Sequence, residues 1–268
     1  MKKTLILITL FILSASCVLS QEKELQFKRL IHLIEQDSSD VFIEYFNESN
    51  FDPNYRQSQK DVTLLFHAIY SMDSNQSIYN FLLEKGANTN FVANTGTVMH
   101  WALEKDSIDI GFSLIKHGYD PTIESQIEEN EEPLNNLIAF LYDKDGGKEL
   151  VKRLVSKGMD LNIMGKKGVA AIHLAVLKEN ITLLKFLKKN KANLNLAISP
   201  YLESFRKGDF LGATPLILAV QFNKVSIVKQ LLKYKKVDGS IKNEAGKTAL
   251  DIAIEKDNKE LIKLLKNP

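Results

Sequence analysis

One short motif constrains this chain more than any other feature, because it marks the start of a helix and recurs along the sequence. Thr214 is suited to cap a helix by accepting a hydrogen bond from a free backbone N–H group. Pro215 would then occupy the first helical position, where a missing N–H costs nothing. The steps from Thr63 to Thr97 and from Thr214 to Thr248 are both 34 residues. Variants of the motif begin at Thr63, Thr97, Ala170 and Thr248, and a degenerate copy begins near Pro133.

A second motif closes each repeat with a turn, which reads Gly86-Ala87-Asn88-Thr89-Asn90 in a clear copy. The two motifs and a period in the low thirties resemble the ankyrin repeat family, whose units begin with Thr-Pro-Leu-His-x-Ala. The resemblance covers roughly residues 50–268, with about six repeats. It implies an all-α ankyrin repeat solenoid, in which each helix-turn-helix repeat is followed by a hairpin loop.

The residues before the first repeat predict an N-terminal capping helix pair. Residues 22–36 place apolar side chains on one side of a helix, and residues 41–46 do so for a second helix. A terminal repeat has to show one polar face to water, so a divergent pair at this end fits a cap.

Residues 1–20 are typical of a bacterial secretory signal peptide. Lys2 and Lys3 precede an apolar stretch, residues 5–13, that is too short to span a bilayer. Cleavage after Ser20 would leave an ankyrin repeat domain over residues 21–268 without any cysteine. Cleavage before Cys17 would instead leave a lipid-modified cysteine. Under either alternative the protein is expected to be exported, as a periplasmic or secreted protein or as a membrane-anchored lipoprotein.

The loop before the fifth repeat is longer than the family spacing predicts. Asn195 and Ile217 are 22 residues apart, whereas the equivalent Asn162 and His173 are 11 apart. The insertion of about 11 residues lies in segment 198–210. Its aromatic side chains would either pack back onto neighbouring helices or contact a partner.

Charge is distributed unevenly along the chain. Residues 21–143 contain 8 Lys or Arg and 21 Asp or Glu, whereas residues 144–268 contain 25 and 12. Such an asymmetry can steer a partner of matching polarity. The lysine pairs that precede the turns are more simply interpreted as solvated helix ends, where positive charge favours the macrodipole.

The sequence offers no pattern for catalysis, so we expect no enzyme activity, no cofactor and no metal. No pair of histidines has a metal-ligand spacing, and neither a Gly-x-Ser-x-Gly elbow nor a phosphate loop occurs. His100 and His173 occupy the family's motif position, where a ring is expected to hydrogen-bond near the helix start. Nucleic acid is not expected as a partner, because an exported protein rarely meets it.

The resemblance implies a monomeric, non-catalytic protein-protein interaction module that binds through its concave face and hairpin tips. Two alternatives remain open: an immunity protein that neutralises a toxin, and a membrane-tethered envelope scaffold or stress-related lipoprotein held through Cys17. The predicted partner-binding residues lie at the variable tips: Phe91, Val92, Asn94, Glu128, Glu129, Met164, Lys166, Tyr201, Phe205, Arg206 and Phe210.

Overall fold

The computed structural model of the chain describes residues 2–57, 62–71, 76–93, 96–127, 134–165, 167–199 and 210–266. The chain forms two compact units, Met1–Tyr119 and Asp120–Pro268. Each unit is built from antiparallel helix pairs, which confirms the predicted all-α repeat architecture. Among the helices that the structure describes, none combines the length and apolar character needed to cross a membrane.

The first unit stacks three helix pairs. Helix α1 packs on α2 and α3, helix α3 packs on α4 and α5, and α5 packs on α6. A short antiparallel hairpin pairs Val92 with Thr97 directly before α5. The elements are α1 (Lys2–Glu35), α2 (Ser39–Glu48), α3 (Leu64–Tyr70), α4 (Gln76–Glu84), β1 (Val92–Ala93), β2 (Gly96–Thr97), α5 (Val98–Glu104) and α6 (Ile108–Lys116).

The second unit begins with a 3₁₀ helix, Pro121–Gln126, which is followed in the chain by four stacked helix pairs. The pairs are α7 (Leu134–Leu141) with α8 (Gly147–Ser156), α9 (Ala171–Leu177) with α10 (Ile181–Lys189), α11 (Pro215–Gln221) with α12 (Val225–Leu232), and α13 (Ala249–Glu255) with α14 (Lys259–Lys266). The first helices α7, α9, α11 and α13 pack on one another in sequence, and the second helices α10, α12 and α14 do the same. The unit therefore has two helical layers.

Threonine caps fix the start of four first helices, as the sequence predicts. The Oγ1 atoms of Thr63 and Thr97 accept hydrogen bonds from backbone N–H groups three residues later, at 3.2 and 3.1 Å. Thr214 and Thr248 make the same bond at 3.3 and 3.2 Å. Each such cap is worth about 1 kcal/mol, because it satisfies a donor that the helix leaves free. Ala170 stands at the corresponding position of α9 and has no hydroxyl group.

The N-terminal helix differs in length from the prediction. Residues 22–36 were expected to form a helix of their own, but α1 runs continuously from Lys2 to Glu35. Its C-terminal half packs against the repeats, since Phe27, Leu30 and Ile34 are fully buried. Together with α2 it forms the predicted capping pair. The cleavage site after Ser20 stays a prediction.

Aromatic side chains contribute more to the core of the first unit than to that of the second. In the first unit, Phe42 and Phe46 of α2 meet Phe81 of α4, and the Phe46 and Phe81 rings lie edge to face with centroids 5.3 Å apart. In the second unit, aliphatic side chains such as Leu184 and Leu187 are fully buried between the layers. Burial of each such side chain contributes about 1.5–3 kcal/mol, so the stacking of neighbours supplies most of the stability.

Asparagine side chains tie successive hairpin turns together within each unit. The Asn54 side chain accepts a hydrogen bond from Asn88 N at 2.6 Å and donates one to Gly86 O at 3.1 Å. In the second unit, Asn162 Oδ1 accepts from Asn193 N at 2.7 Å. Each bond spans a repeat and satisfies backbone groups that a turn would otherwise leave free, so neighbouring turns are held in register.

The acidic segment near residue 124 contains a buried carboxyl group. Glu124 is 1% exposed and lies in the 3₁₀ helix. Asp120 caps this helix, because its Oδ1 accepts a hydrogen bond from Thr122 N at 2.9 Å. These hydrogen bonds from Thr122 hold the pKa of the Asp120 carboxyl below its usual range. The Asp120 cap and Pro121 together fix the start of the 3₁₀ helix.

Candidate protein-binding surfaces

The second unit exposes a row of large apolar side chains on its first helices. Phe140 is 45% exposed, Leu177 36%, Phe222 45% and Ile254 51%. All four lie at or next to the C-terminal end of a first helix: α7, α9, α11 and α13, respectively. These four helices pack on one another in sequence, so each of four successive repeats exposes one large apolar side chain near the C-terminal end of its first helix. We call this set the first-helix row.

Two charged residues that follow Leu177, Lys178 and Glu179, make contacts with neighbouring repeats. The Nζ atom of Lys178 lies 3.5 Å from the centroid of the Phe140 ring, in a cation–π contact between successive repeats. Glu179 bonds to the Ser226 hydroxyl, and its Oε2 lies 3.3 Å from Lys224 Nζ. The bond from Ser226, followed by that from Lys224, lowers the pKa of the Glu179 carboxyl. These contacts fix the turn that follows Leu177.

The end of the inserted loop packs onto the first-helix row. The Phe210 ring stacks on Phe222, with centroids 5.5 Å apart and an interplanar angle of 21°. The base of the insertion is closed by backbone hydrogen bonds: Ile198 N donates to Ala213 O and Gly212 N donates to Ile198 O, both at 3.0 Å. Phe210 therefore packs onto a neighbouring helix, and partner contact by the loop aromatics stays a prediction. Tyr201, Phe205 and Arg206 lie outside the described residues.

The predicted tip residues have different environments where the structure describes them. Phe91 is 2% exposed, and the guanidinium carbon of Arg56 lies 4.6 Å from its ring centroid. Val92 and Met164 are half-buried. Asn94, Glu128, Glu129 and Lys166 lie outside the described residues, and of Cys17 the structure describes only its place in α1. The binding roles of all these residues stay predictions.

Sequence reasoning did not single out the first-helix row, although a signal for it exists. Phe140 and Leu177 follow the start of their motifs, Pro133 and Ala170, by seven residues, and Phe222 follows Thr214 by eight. In the first unit, Tyr70 follows Thr63 by seven residues and is 48% exposed. The available clue was a large apolar residue that recurs six to eight positions after the start of the motif.

The histidines at the motif position have structural partners. The ring of His173 is fully buried and bonds on both sides to backbone groups of Ala170 and Leu196. The Nε2 atom of His100 lies 3.8 Å from Glu104 Oε2. In the part of the chain that the structure describes, no three His, Cys, Asp or Glu side chains are grouped so that they could hold a metal ion.

Helix pairs that begin with a threonine cap, stack in two layers and are joined by asparagine-linked turns define an all-α repeat protein with the ankyrin repeat fold. Residues 196–268 match the sequence profile of the family Ankyrin repeats (3 copies). Among solved structures, the ankyrin repeat domain of Bcl-3, a member of the IkappaB protein family, superposes with a TM-score of 0.66 at 18% identity. That comparison covers 89% of this chain and 97% of the Bcl-3 domain. The human ASB11 ankyrin repeat domain gives a TM-score of 0.56 at 20% identity, covering 89% of this chain and 98% of that domain.

The sequence relatives also carry ankyrin repeats. Protein FPV031 of Fowlpox virus (strain NVSL), an ankyrin repeat protein, is 32% identical over 170 residues, which is 61% of this chain and 45% of that protein. Ankyrin repeat protein L371 of Acanthamoeba polyphaga mimivirus is 24% identical over 225 residues, 78% of this chain and 26% of that protein. The chain thus spans less than half the length of these relatives.

Proposed function

We propose that this protein is a non-catalytic module that binds another protein through the first-helix row of its second unit. The observation that carries the proposal is the recurrence of Phe140, Leu177, Phe222 and Ile254 as exposed side chains on four successive helices. Single exposed apolar residues are ordinary on a protein surface, but one on each of four successive, stacked helices favours an interaction site. The ankyrin repeat fold of the chain is in keeping with this role.

The charge around the row indicates the chemistry of the partner. Residues 144–268 contain 25 Lys or Arg and 12 Asp or Glu, so this part of the chain is strongly basic. Lys178 lies directly against the row through its contact with Phe140. A partner that presents apolar side chains framed by carboxylates would match both features, and its encounter with the unit would be accelerated by attraction.

Site-specific crosslinking tests where the partner binds. A photo-reactive amino acid in place of Leu177 should crosslink to one protein, whereas the same amino acid in place of Lys185, an exposed residue of the second helix α10, should not. The two positions belong to the same repeat, so differences in folding or expression do not explain a difference in crosslinking. Equal labelling from both positions would contradict the proposal.

A variant that truncates the row measures its contribution to affinity. Replacement of Phe140, Leu177 and Ile254 by alanine should weaken binding at least tenfold, because buried apolar anchors at interfaces are worth roughly 1–2 kcal/mol each. The matched control replaces Ser156 and Thr182 by alanine, because both are exposed, uncharged residues of second helices in the same unit. The control should bind normally, and both variants should keep the helical content of the parent protein.

We also propose that the module works outside the cytoplasm, either free or tethered through Cys17. The support is the N-terminal sequence, in which two lysines precede a short apolar stretch and small residues. The mass of the protein recovered from cells would distinguish cleavage after Ser20 from lipidation at Cys17. A Cys17→Ser variant should leave the membrane fraction if the cysteine is the tether. An unprocessed protein in the cytoplasm would refute this location.

A further inference from the structure

A second surface of the second unit carries a different chemistry, since lysines surround a cavity of about 890 Å³. The cavity lies between the turn that follows α10 and the turn that follows α12. Its polar lining comes chiefly from Lys188, Lys191, Lys233, Lys235 and Lys236, together with the Tyr234 ring. We call this site the lysine pocket. It is formed by residues at the ends of second helices, and none of its lining residues belongs to the first-helix row.

The lysines of the pocket outnumber the opposite charges near them. All five are exposed, and no ion pair joins any of them to a carboxylate within the described parts of the chain. Asp238 lies two residues after Lys236, and its Oδ1 accepts hydrogen bonds from the backbone N and the hydroxyl of Ser240, at 2.9 and 2.6 Å. These bonds lower the pKa of Asp238, so its carboxylate stays ionised, but it offsets only one of the five positive charges. Several like charges therefore share one concave surface, and an anion would relieve their repulsion.

The hydrogen bonds inside the pocket restrict the type of ligand. Asn195 Oδ1 accepts from Asp238 N at 2.9 Å, and Asn195 Nδ2 donates to Lys236 O at 2.8 Å. Asn193 N and Asn195 N both donate to asparagine side chains, at 2.7 and 3.0 Å. The turn thus uses these backbone and amide groups for its own structure. The lining also contains the five lysines, one of which, Lys188, places its Nζ atom 5.5 Å from the centroid of the Tyr234 ring. Charge rather than main-chain pairing therefore decides recognition.

We propose that the lysine pocket binds a multiply phosphorylated group, whether on a free molecule or on a lipid headgroup. Lysine is a compact point charge that binds phosphate without the fixed fork of arginine, and the pocket is lined by lysines alone among cationic residues. The cavity falls within the range of roughly 300–1,000 Å³ that is usual for small-ligand sites. An acidic peptide would use backbone hydrogen bonds as well as charge, and the turn leaves few of them.

Calorimetric titration with inositol hexakisphosphate tests the free form, and flotation with vesicles tests the lipid form. The vesicles contain phosphatidylcholine with and without phosphatidylinositol bisphosphate. The test variant changes three pocket lysines to glutamine: Lys191, Lys233 and Lys236. The control variant removes the same charge from exposed lysines elsewhere in the unit: Lys148, Lys185 and Lys259.

The parent protein should bind at least one of the two probes, and the test variant should bind it roughly tenfold more weakly, because three positive charges of the pocket are lost. The control variant should change affinity by less than about twofold. Binding to both probes would place the recognised chemistry in the phosphate groups, and binding to only one would identify the source. Loss of affinity that is equal in both variants would overturn the proposal. So would a parent protein that binds neither probe.

Discussion

His173 connects the start of helix α9 to the loop that follows α10, because its Nε2–H donates a hydrogen bond to the carbonyl oxygen of Leu196 at 2.8 Å. The other ring nitrogen, Nδ1, accepts a hydrogen bond from Ala170 N at 3.0 Å. These two bonds need a neutral ring with its proton on Nε2. The ring is fully buried, and burial lowers the pKa of His173 from 6.5 to about 4.

The buried imidazole should make stability depend on pH. The pKa is lower in the folded state than in the unfolded state, so protonation favours unfolding. The stabilising contribution is complete above pH 6.5 and is lost as the pH falls toward about 4. The free energy of unfolding, measured by urea denaturation across this interval, should fall by up to roughly 3 kcal/mol from this residue. A His173→Gln variant should be less stable at neutral pH and should lose this part of the pH dependence.

Replacement of Gly168 by alanine should destabilise the second unit by roughly 3 kcal/mol, of which about 1 reflects backbone strain and the rest a clash. Gly168 has a φ of +67°, and a Cβ atom there would lie 2.1 Å from the carbonyl oxygen of Ser199. Gly246 is the control, since it has a φ of +75° and open space around its Cα atom. Thermal unfolding of the two variants should show a clearly larger loss for Gly168→Ala. Equal losses would show that the clash is relieved by movement of the loop.

The side chain of Asn195 should contribute strongly to the stability of the second unit. It holds the next turn by bonds to Asp238 N and Lys236 O. An Asn195→Ala change removes both hydrogen bonds and should cost about 1–3 kcal/mol of unfolding free energy. Asn195→Asp retains the acceptor and should cost less, also because it places a carboxylate among lysines. Equal costs for the two variants would show that the donated bond alone matters.

A threonine at position 170 should stabilise the protein by about 1 kcal/mol. Ala170 stands where Thr63, Thr97, Thr214 and Thr248 cap their helices, and its own helix lacks such a bond. His173 N already donates to the Ala170 carbonyl oxygen at 2.9 Å, and the hydroxyl of an Ala170→Thr variant would offer this N–H group the acceptor that the equivalent threonines provide. Ala170→Val has a similar volume without the oxygen and serves as the control. The prediction fails if threonine and valine change the unfolding free energy equally.

The local signals of the sequence predict the repeat framework well. Each threonine cap lies within three residues of its donor, so a short motif contains all the information that the helix start needs. The positions of Thr214 and Pro215 therefore predict the start of α11 directly, and the structure confirms it. The same holds for the helix that follows Thr248.

The features that were missed depend on residues far apart in the chain. Lys188 and Lys191 recur 45 positions later as Lys233 and Lys236, but only the stacking of α10 beside α12 brings the two pairs to one cavity. Read singly, each pair fits a solvated helix end, as the sequence analysis proposed. The burial of Glu124 in the 3₁₀ helix is another feature that its acidic neighbours in the sequence do not reveal.

The two hydrogen bonds that join Ile198 to Gly212 and Ala213 have a consequence for how the chain can vary. Since they close the base of the insertion, the number of residues between them is decoupled from the spacing of the repeats on either side. The peptide between these bonds could therefore be replaced by one of another length or composition, in evolution or by design, while the repeats on either side keep their geometry.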